Sequence, residues 1–126
     1  MTAGKTSLAG LRVFLAEDEF LIALAVAEEL EAKGCTIVGP FQNEEAARTA
    51  ASGESFDFAL LDINMNGQMA YSVADAVAAR RIPFVFLSGY SASTLPDRFR
   101  TVPTISKPCD PAILTRKLHE LLAAKG

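Results

Sequence analysis

The chain has 126 residues, a length that suits one domain. Half of its residues are hydrophobic and 21% are charged, as in an ordinary soluble globular protein with a sizeable core. The net charge of −3, without a cluster of Lys and Arg, argues against a general nucleic-acid-binding surface. The two cysteines, Cys35 and Cys109, lie far apart without metal-type spacing and are expected to be reduced thiols.

Short apolar runs alternate with longer segments of helical periodicity along the chain. The runs that predict buried strands are residues 11–16, 35–39, 58–63, 83–88 and 103–106. The helical patterns are residues 19–33, 43–52, 69–80 and 110–122. Between the last two strands, residues 89–100 contain Gly89 and Pro96 and leave room for only a turn or two of helix.

Capping residues mark several of the helix ends. Asn43 is placed to cap the second helix, and Gly34 is placed as a left-handed residue after the first. Asp110 as N-cap and Pro111 at the first helical position open the last helix. The predicted inward-facing residues are Phe20, Leu24, Ala27 and Leu30 in the first helix, Val73 and Val77 in the third, and Leu114, Leu118, Leu121 and Leu122 in the last.

This order of elements predicts an α/β fold, with β followed by α five times. Short runs that are apolar on both faces favour a parallel sheet covered on both sides. Right-handed crossovers then give a three-layer doubly wound fold, in which ligands bind beyond the carboxyl ends of the strands. The last helix ends about four residues before Gly126, so we expect one domain over residues 8–123, a tail over residues 1–7 and no output domain.

Polar and charged residues follow the ends of four of the predicted strands. Asp62 interrupts the apolar run "FALLDI", where a carboxylate is costly unless it is paired or bound to a metal. The polar residues at the other strand ends each have a simpler explanation when taken alone: acids favour a helix N-terminus, and a lone lysine is usually a solvated surface residue. Their arrival in order at one predicted sheet edge is the informative feature. The residues are Glu17, Asp18 and Glu19 after the first strand, Asp62 in the third, Ser88 in the fourth and Lys107 after the fifth.

The residue types indicate phosphoryl chemistry at this edge. Asp18 and Asp62, with Glu17 nearby, crowd negative charge that Mg²⁺ would relieve, and the backbone carbonyl of Asn64 would complete the protein ligands. A carboxylate oxygen of Asp62 remains free as a nucleophile toward phosphorus. Ser88 and Lys107 would then hydrogen-bond and neutralise the phosphoryl oxygens.

The ordered set Glu17-Asp18, Asp62, Ser88 and Lys107-Pro108 resembles the receiver domain of two-component response regulators. The resemblance covers nearly the whole chain and implies a flavodoxin-like five-stranded sheet with strand order 2-1-3-4-5. It implies that Asp62 is the phosphoacceptor, that Asp18 and the Asn64 carbonyl bind Mg²⁺ directly, and that Glu17 does so through water. It also implies a cis bond between Lys107 and Pro108.

One departure from the commonest receivers concerns the switch. Many receivers have Tyr or Phe three residues before the lysine, where this chain has Thr104. The aromatic residue is instead Tyr90, and "PFVFLSGY" is similar to the signature of the FAT GUY subgroup, several of which are single-domain. We therefore expect Gly89, Tyr90 and the segment after them to form the switch.

The resemblance implies a partner histidine kinase or histidine phosphotransferase and a downstream protein target, reached by relay or by draining phosphate from a shared kinase. We expect a cytoplasmic monomer or weak dimer that binds no nucleic acid, enters no membrane, and catalyses only its own phosphorylation and dephosphorylation. The alternatives are a receiver-like binding module that is not phosphorylated, a haloacid-dehalogenase-type phosphatase, and a flavodoxin-like electron carrier. The phosphatase would have a second Asp where Asn64 stands, and the acids after the first strand would repel a flavin phosphate.

Overall fold

The fold is known from a computed structural model that describes residues 8–65, 68–88, 95–107 and 111–125. The strands are β1 (Arg12–Ala16), β2 (Thr36–Phe41), β3 (Phe58–Asp62), β4 (Asn64–Met65), β5 (Gln68–Met69), β6 (Phe84–Ser88) and β7 (Thr104–Ser106). The helices are α1 (Phe20–Ala32), α2 (Glu44–Gly53), α3 (Tyr71–Ala79) and α4 (Pro111–Lys125), with a 3₁₀ helix at Asp97–Phe99.

Five of these strands form one parallel sheet in the order β2-β1-β3-β6-β7. These are the five predicted strands, and in their own sequence their order is 2-1-3-4-5. The predicted doubly wound α/β fold and its strand order are therefore confirmed. The topology places the ends of β1 and β3 side by side at the centre of the sheet, which is where such folds bind ligands.

The core lies on both faces of the sheet, and β1 shows how one strand serves both. Phe14 and Ala16 pack toward α2 and α3, whereas Val13 and Leu15 pack toward α1 and α4. A strand that is buried on both faces has no polar position in its alternation. This is why the sequence of β1 is continuously apolar from Val13 to Ala16.

The predicted inward face of α1 is wrong in its first two turns. The buried residues are Ala23, Val26, Ala27 and Leu30. Phe20 is 64% exposed and Leu24 is 42% exposed, and Leu21 is exposed with them. Nearly every position in the first two turns is apolar, so the sequence pattern alone does not select which side meets the sheet. The small residues Ala23 and Ala27 take the side that packs against it.

The capping predictions agree with the structure wherever it describes them. The Asn43 side chain accepts a hydrogen bond of 2.8 Å from the backbone N–H of Ala46. Gly34 has φ +94°, and a Cβ there would lie 2.9 Å from the Cα of Ala9.

The predicted inward residues Val73, Val77, Leu114 and Leu118 are buried. The helix α4 begins at Pro111 as predicted and runs on to Lys125, while Asp110 and the side chains of Leu121 and Leu122 lie outside the described part of the chain.

Two short features between the main elements were not predicted. Strand β2 continues to Phe41 through a cis Gly39–Pro40 bond, and its register with β1 shifts between Phe14 and Ala16. After β3, a small antiparallel hairpin pairs Asn64 with Met69 and Met65 with Gln68. Because this hairpin uses residues up to Met69, α3 begins at Tyr71 and not at the predicted residue 69.

The connection from β6 to β7 contains only the 3₁₀ helix within its described residues, in line with the prediction of a turn or two. The predictions for Gly89, Tyr90 and the Lys107–Pro108 bond fall outside the described ranges. In those ranges, no helix combines the length and hydropathy that a membrane crossing requires.

Candidate functional site

The carboxyl ends of the parallel strands bring the predicted site residues to one edge of the sheet. Asp62 is the last residue of β3, and Ser88 is the last residue of β6. The backbone N–H of Lys107 donates a 2.8 Å hydrogen bond to the carbonyl of Ser88, which fixes the backbone of Lys107 beside the end of β6. Glu17 follows β1 directly, and its N–H donates to the carbonyl of Phe41 at 3.0 Å.

The Lys107 ammonium is the centre of this edge. Its Nζ lies 3.1 Å from Oδ2 of Asp62 and 3.3 Å from both carboxylate oxygens of Glu17. It lies 3.0 Å from Oε1 of Glu19. These contacts span 45 to 90 residues of sequence, so they exist only because the sheet gathers the strand ends.

Most of these charged groups are removed from water. The side chains of Glu17 and Asp62 are 0% and 2% exposed, and that of Lys107 is 11% exposed. Buried ion pairs of this kind carry a desolvation penalty that their mutual attraction does not reliably repay. The arrangement is therefore poorly explained by stability, and a chemical role explains it better.

Burial also governs protonation at the site. It raises the pKa of Asp62 to about 8, with a hydrogen bond to Asp18 and the charge of Glu17 acting in the same direction against the attraction of Lys107. Burial likewise raises the pKa of Glu17. For Lys107, burial lowers the pKa, but the hydrogen bond to Glu19 and the charge of Asp62 outweigh it and hold the pKa above its usual range.

The carboxylates of Glu17, Asp18 and Asp62 form a group that can hold a metal ion, with one oxygen from each lying within 4.8 Å of the others. All the donors are hard oxygens, which fits a hard divalent cation. The backbone N–H of Asn64 donates a 3.2 Å hydrogen bond to Oδ1 of Asp62, so this residue is next to the cluster as predicted. The role of its carbonyl stays a prediction.

Two residues contribute features that the sequence did not assign. Glu19 makes the shortest contact to Lys107, and its position in the acidic triplet after the first strand was the available signal. Thr104 pairs with Phe86 across β6 and β7, and among the described residues its buried Oγ1 has no hydrogen-bond partner. The threonine at the position of the usual aromatic residue thus has a buried hydroxyl that no other described group pairs with.

A comparison of the sequence with known protein families agrees with this geometry. The family model of the response regulator receiver domain matches residues 13–119. The chain belongs to the response regulator receiver family. The solved structure of SdrG from Sphingomonas melonis Fr1 is 35% identical to this receiver, with a TM-score of 0.78 over 92% of this chain and 98% of that chain. A CheY-like receiver domain from Methanospirillum hungatei JF-1 has a TM-score of 0.80 at 21% identity, over 91% and 95% of the two chains, and supports the fold.

Longer proteins contain regions similar to this receiver. The transcriptional regulatory protein PdtaR of Mycobacterium tuberculosis is 34% identical over 90 residues, which are 71% of this chain and 44% of PdtaR. The response regulator PhyR from Brucella abortus shares the fold at 23% identity and a TM-score of 0.78, over 98% of this chain and 52% of PhyR. The chain thus spans about half the length of these two proteins or less.

Proposed function

We propose that this receiver accepts a phosphoryl group on Asp62 from the phosphohistidine of a histidine kinase or histidine phosphotransferase. The observation that carries the proposal is the position of the Asp62 carboxylate, buried within the acidic cluster and 3.1 Å from the Lys107 ammonium. A nucleophile flanked by a cation and by oxygen ligands for a metal is the arrangement that phosphoryl transfer requires.

In the transfer step, a carboxylate oxygen of Asp62 forms a bond to phosphorus as the P–N bond of the donor breaks. The electron pair of that bond stays on the imidazole nitrogen, which takes up a proton. Lys107 and Ser88 stabilise the phosphoryl oxygens, and the position of Ser88 at the end of β6, next to β3 in the sheet, supports this role. The chain promotes only its own phosphorylation and dephosphorylation and is not an enzyme acting on other substrates.

The metal in this proposal is Mg²⁺. When bound, it neutralises charge that gathers on the phosphoryl oxygens. Asp18, Asp62 and the Asn64 carbonyl would hold it directly, and Glu17 would do so through water. The Asp62 proton must leave for either binding or attack, because the neutral carboxyl is a poor ligand and a poor nucleophile.

An exposed apolar surface beside the site supports a protein donor. Phe20 and Leu21, exposed by 64% and 76%, follow Glu19 directly, and Leu24 lies one turn further along α1. Large apolar side chains grouped in this way mark surfaces that a partner covers. A kinase or phosphotransferase domain that covers them would place its phosphohistidine over the carboxyl ends of the strands.

Downstream, we propose that the phosphorylated receiver acts through protein contacts, or drains phosphate from a kinase that it shares with another receiver. The net charge of −3 and the absence of a basic cluster from the sequence favour a protein target over nucleic acid. We propose a monomer or weak dimer that works in the cytoplasm.

The direct test is phosphorylation of the purified chain in Mg²⁺, with acetyl phosphate and with candidate kinases as donors. We expect one acid-stable, base-labile phosphoryl group per chain, detected by intact-mass measurement. Asp62→Asn should remove it. Asp97→Asn, which changes an exposed acid of the 3₁₀ helix, is the matched control and should be labelled like the wild type.

A second arm of the same experiment uses Asp18→Asn. This variant should lose Mg²⁺-dependent labelling, while the metal-free protein becomes more stable because one of the repelling carboxylates is gone. Labelling of Asp62→Asn at the wild-type level would overturn the assignment of the phosphoacceptor. Undiminished labelling of Asp18→Asn would overturn its role as a ligand.

A further inference from the structure

The Lys107 ammonium has more acceptors than it has hydrogens. An ammonium group carries three N–H donors. In this structure four carboxylate oxygens surround it at 3.0–3.3 Å, two from Glu17 and one each from Glu19 and Asp62. Phosphoryl oxygens on Asp62 would therefore compete with the carboxylates of Glu17 and Glu19 for these three hydrogens.

The three carboxylates differ in how readily they can lose the lysine. Glu17 is fully buried, so bulk water cannot take the place of the lysine beside its carboxylate. Asp62 carries the phosphoryl group itself. Glu19 is 59% exposed, so water can replace the lysine at little loss. Glu19 is thus the carboxylate from which Lys107 can be withdrawn.

We propose that Glu19 is a positioning residue that holds the Lys107 ammonium toward the rim of the site and so opposes its engagement with the phosphoryl group. The inference rests on the proposed phosphorylation of Asp62. Its physical basis is competition: the Lys107–Glu19 contact, at 3.0 Å the shortest that the ammonium makes, must weaken as the contact to the phosphoryl oxygen forms. Glu19 acts through Lys107 and does not touch the reacting atoms.

The test compares Glu19→Gln with Glu31→Gln, which removes an equal charge from an exposed position at the other end of α1. In Mg²⁺ and at fixed ionic strength, Glu19→Gln should be phosphorylated by acetyl phosphate roughly three- to tenfold faster than the wild type. This is the size expected for the loss of one charge contact in water-like surroundings. Glu31→Gln should react at the wild-type rate.

A change of background separates competition for Lys107 from simple repulsion of the anionic donor. With Lys107→Met in place, Glu19→Gln should no longer change the residual rate, because the residue through which Glu19 acts is absent. A rate increase that survives in the Lys107→Met background would overturn the proposal in favour of plain repulsion.

A readout without phosphorylation tests the contact itself. The ¹³Cε and ¹⁵Nζ resonances of Lys107 should shift in Glu19→Gln and stay in place in Glu31→Gln. Unchanged resonances, or a labelled wild type whose rate equals that of Glu19→Gln, would overturn the role of Glu19 and leave the proposed function standing. A wild type that no donor labels would instead overturn the proposed function.

Discussion

Two regions of the molecule, an acidic edge and an aromatic cluster, meet the same strand, β6, two residues apart. Burial affects the stability of these two regions in opposite ways. The acidic edge, formed by Glu17, Asp62 and Lys107, begins where β6 ends at Ser88. The aromatic cluster surrounds Phe86 in the same strand. It consists of Tyr71, Phe84, Phe86 and Phe99, with ring centroids 5.4–6.4 Å apart.

The difference lies in what burial does to each region. In the aromatic cluster, burial removes apolar surface from water, and the edge-to-face ring pairs add about 0.5–1.5 kcal/mol each. In the acidic edge, burial removes charges from water and raises the pKa of Asp62. The aromatic cluster stabilises the fold. The acidic edge lowers the stability of the fold that holds it in place. Changes in the two regions should therefore move stability in opposite directions.

The largest effect is expected from Phe86→Ala in the aromatic cluster. Phe86 is fully buried and contacts the other three rings, so its truncation should lower the free energy of unfolding by about 3–5 kcal/mol in urea denaturation. The matched control is Ile113→Ala. Because Ile113 is 42% exposed, this substitution should lower the free energy of unfolding by well under half as much. Equal losses for the two variants would show that the cluster does not have this role.

An intermediate effect is expected from pH in Mg²⁺-free buffer. The folded protein keeps the Asp62 proton up to a pKa of about 8, whereas the unfolded chain loses it near 3.8. Between these values the folded state binds more protons, so the free energy of unfolding should fall as pH rises, by an amount on the order of a few kcal/mol. The raised pKa of Glu17 acts in the same direction.

The variant that checks this pH dependence is Asp62→Asn. It should be more stable than the wild type at pH 7 to 8 and should show a flatter curve in chemical denaturation from pH 4 to 8. Asp97→Asn removes an exposed carboxylate and should follow the wild type. A wild type whose stability rises across this interval would contradict the account of the acidic edge.

The smallest effect is expected from Thr104→Val, which lies beside the aromatic cluster. The substitution keeps the shape of the side chain and removes a buried hydroxyl that has no hydrogen-bond partner in the described part of the chain, so thermal and urea unfolding should show a gain of about 1 kcal/mol. Thr101→Val, at an exposed position nearby, should change stability by less than about 0.5 kcal/mol. A destabilised Thr104→Val would indicate that the hydroxyl has a partner after all.

Much of this receiver could be predicted from sequence because its signals are local. The apolar runs indicate the five strands, most clearly the inner strands β1, β3 and β6, which are buried on both faces and carry no alternation. Asp62 was recognisable because a carboxylate inside such a run needs a cation, and the structure supplies Lys107 at 3.1 Å. Asn43 and Gly34 marked their helix ends because a cap depends on backbone geometry a few residues away.

Other features were decided only by the tertiary structure, because they depend on partners that are distant in sequence. The first two turns of α1 are apolar on most sides, so packing against the sheet selected Ala23 and Ala27 and left Phe20 and Leu24 exposed. The hairpin of β4 and β5 displaced the start of α3, since its pairing competes with helix formation at residues 68–69. The contact of Glu19 with Lys107 joins residues 88 positions apart, and the acidic triplet places Glu19 at the edge of the sheet without specifying the lysine as its partner. Local chemistry determined which groups reach the edge of the sheet, and the packing of the whole chain decided which of them share one ammonium ion.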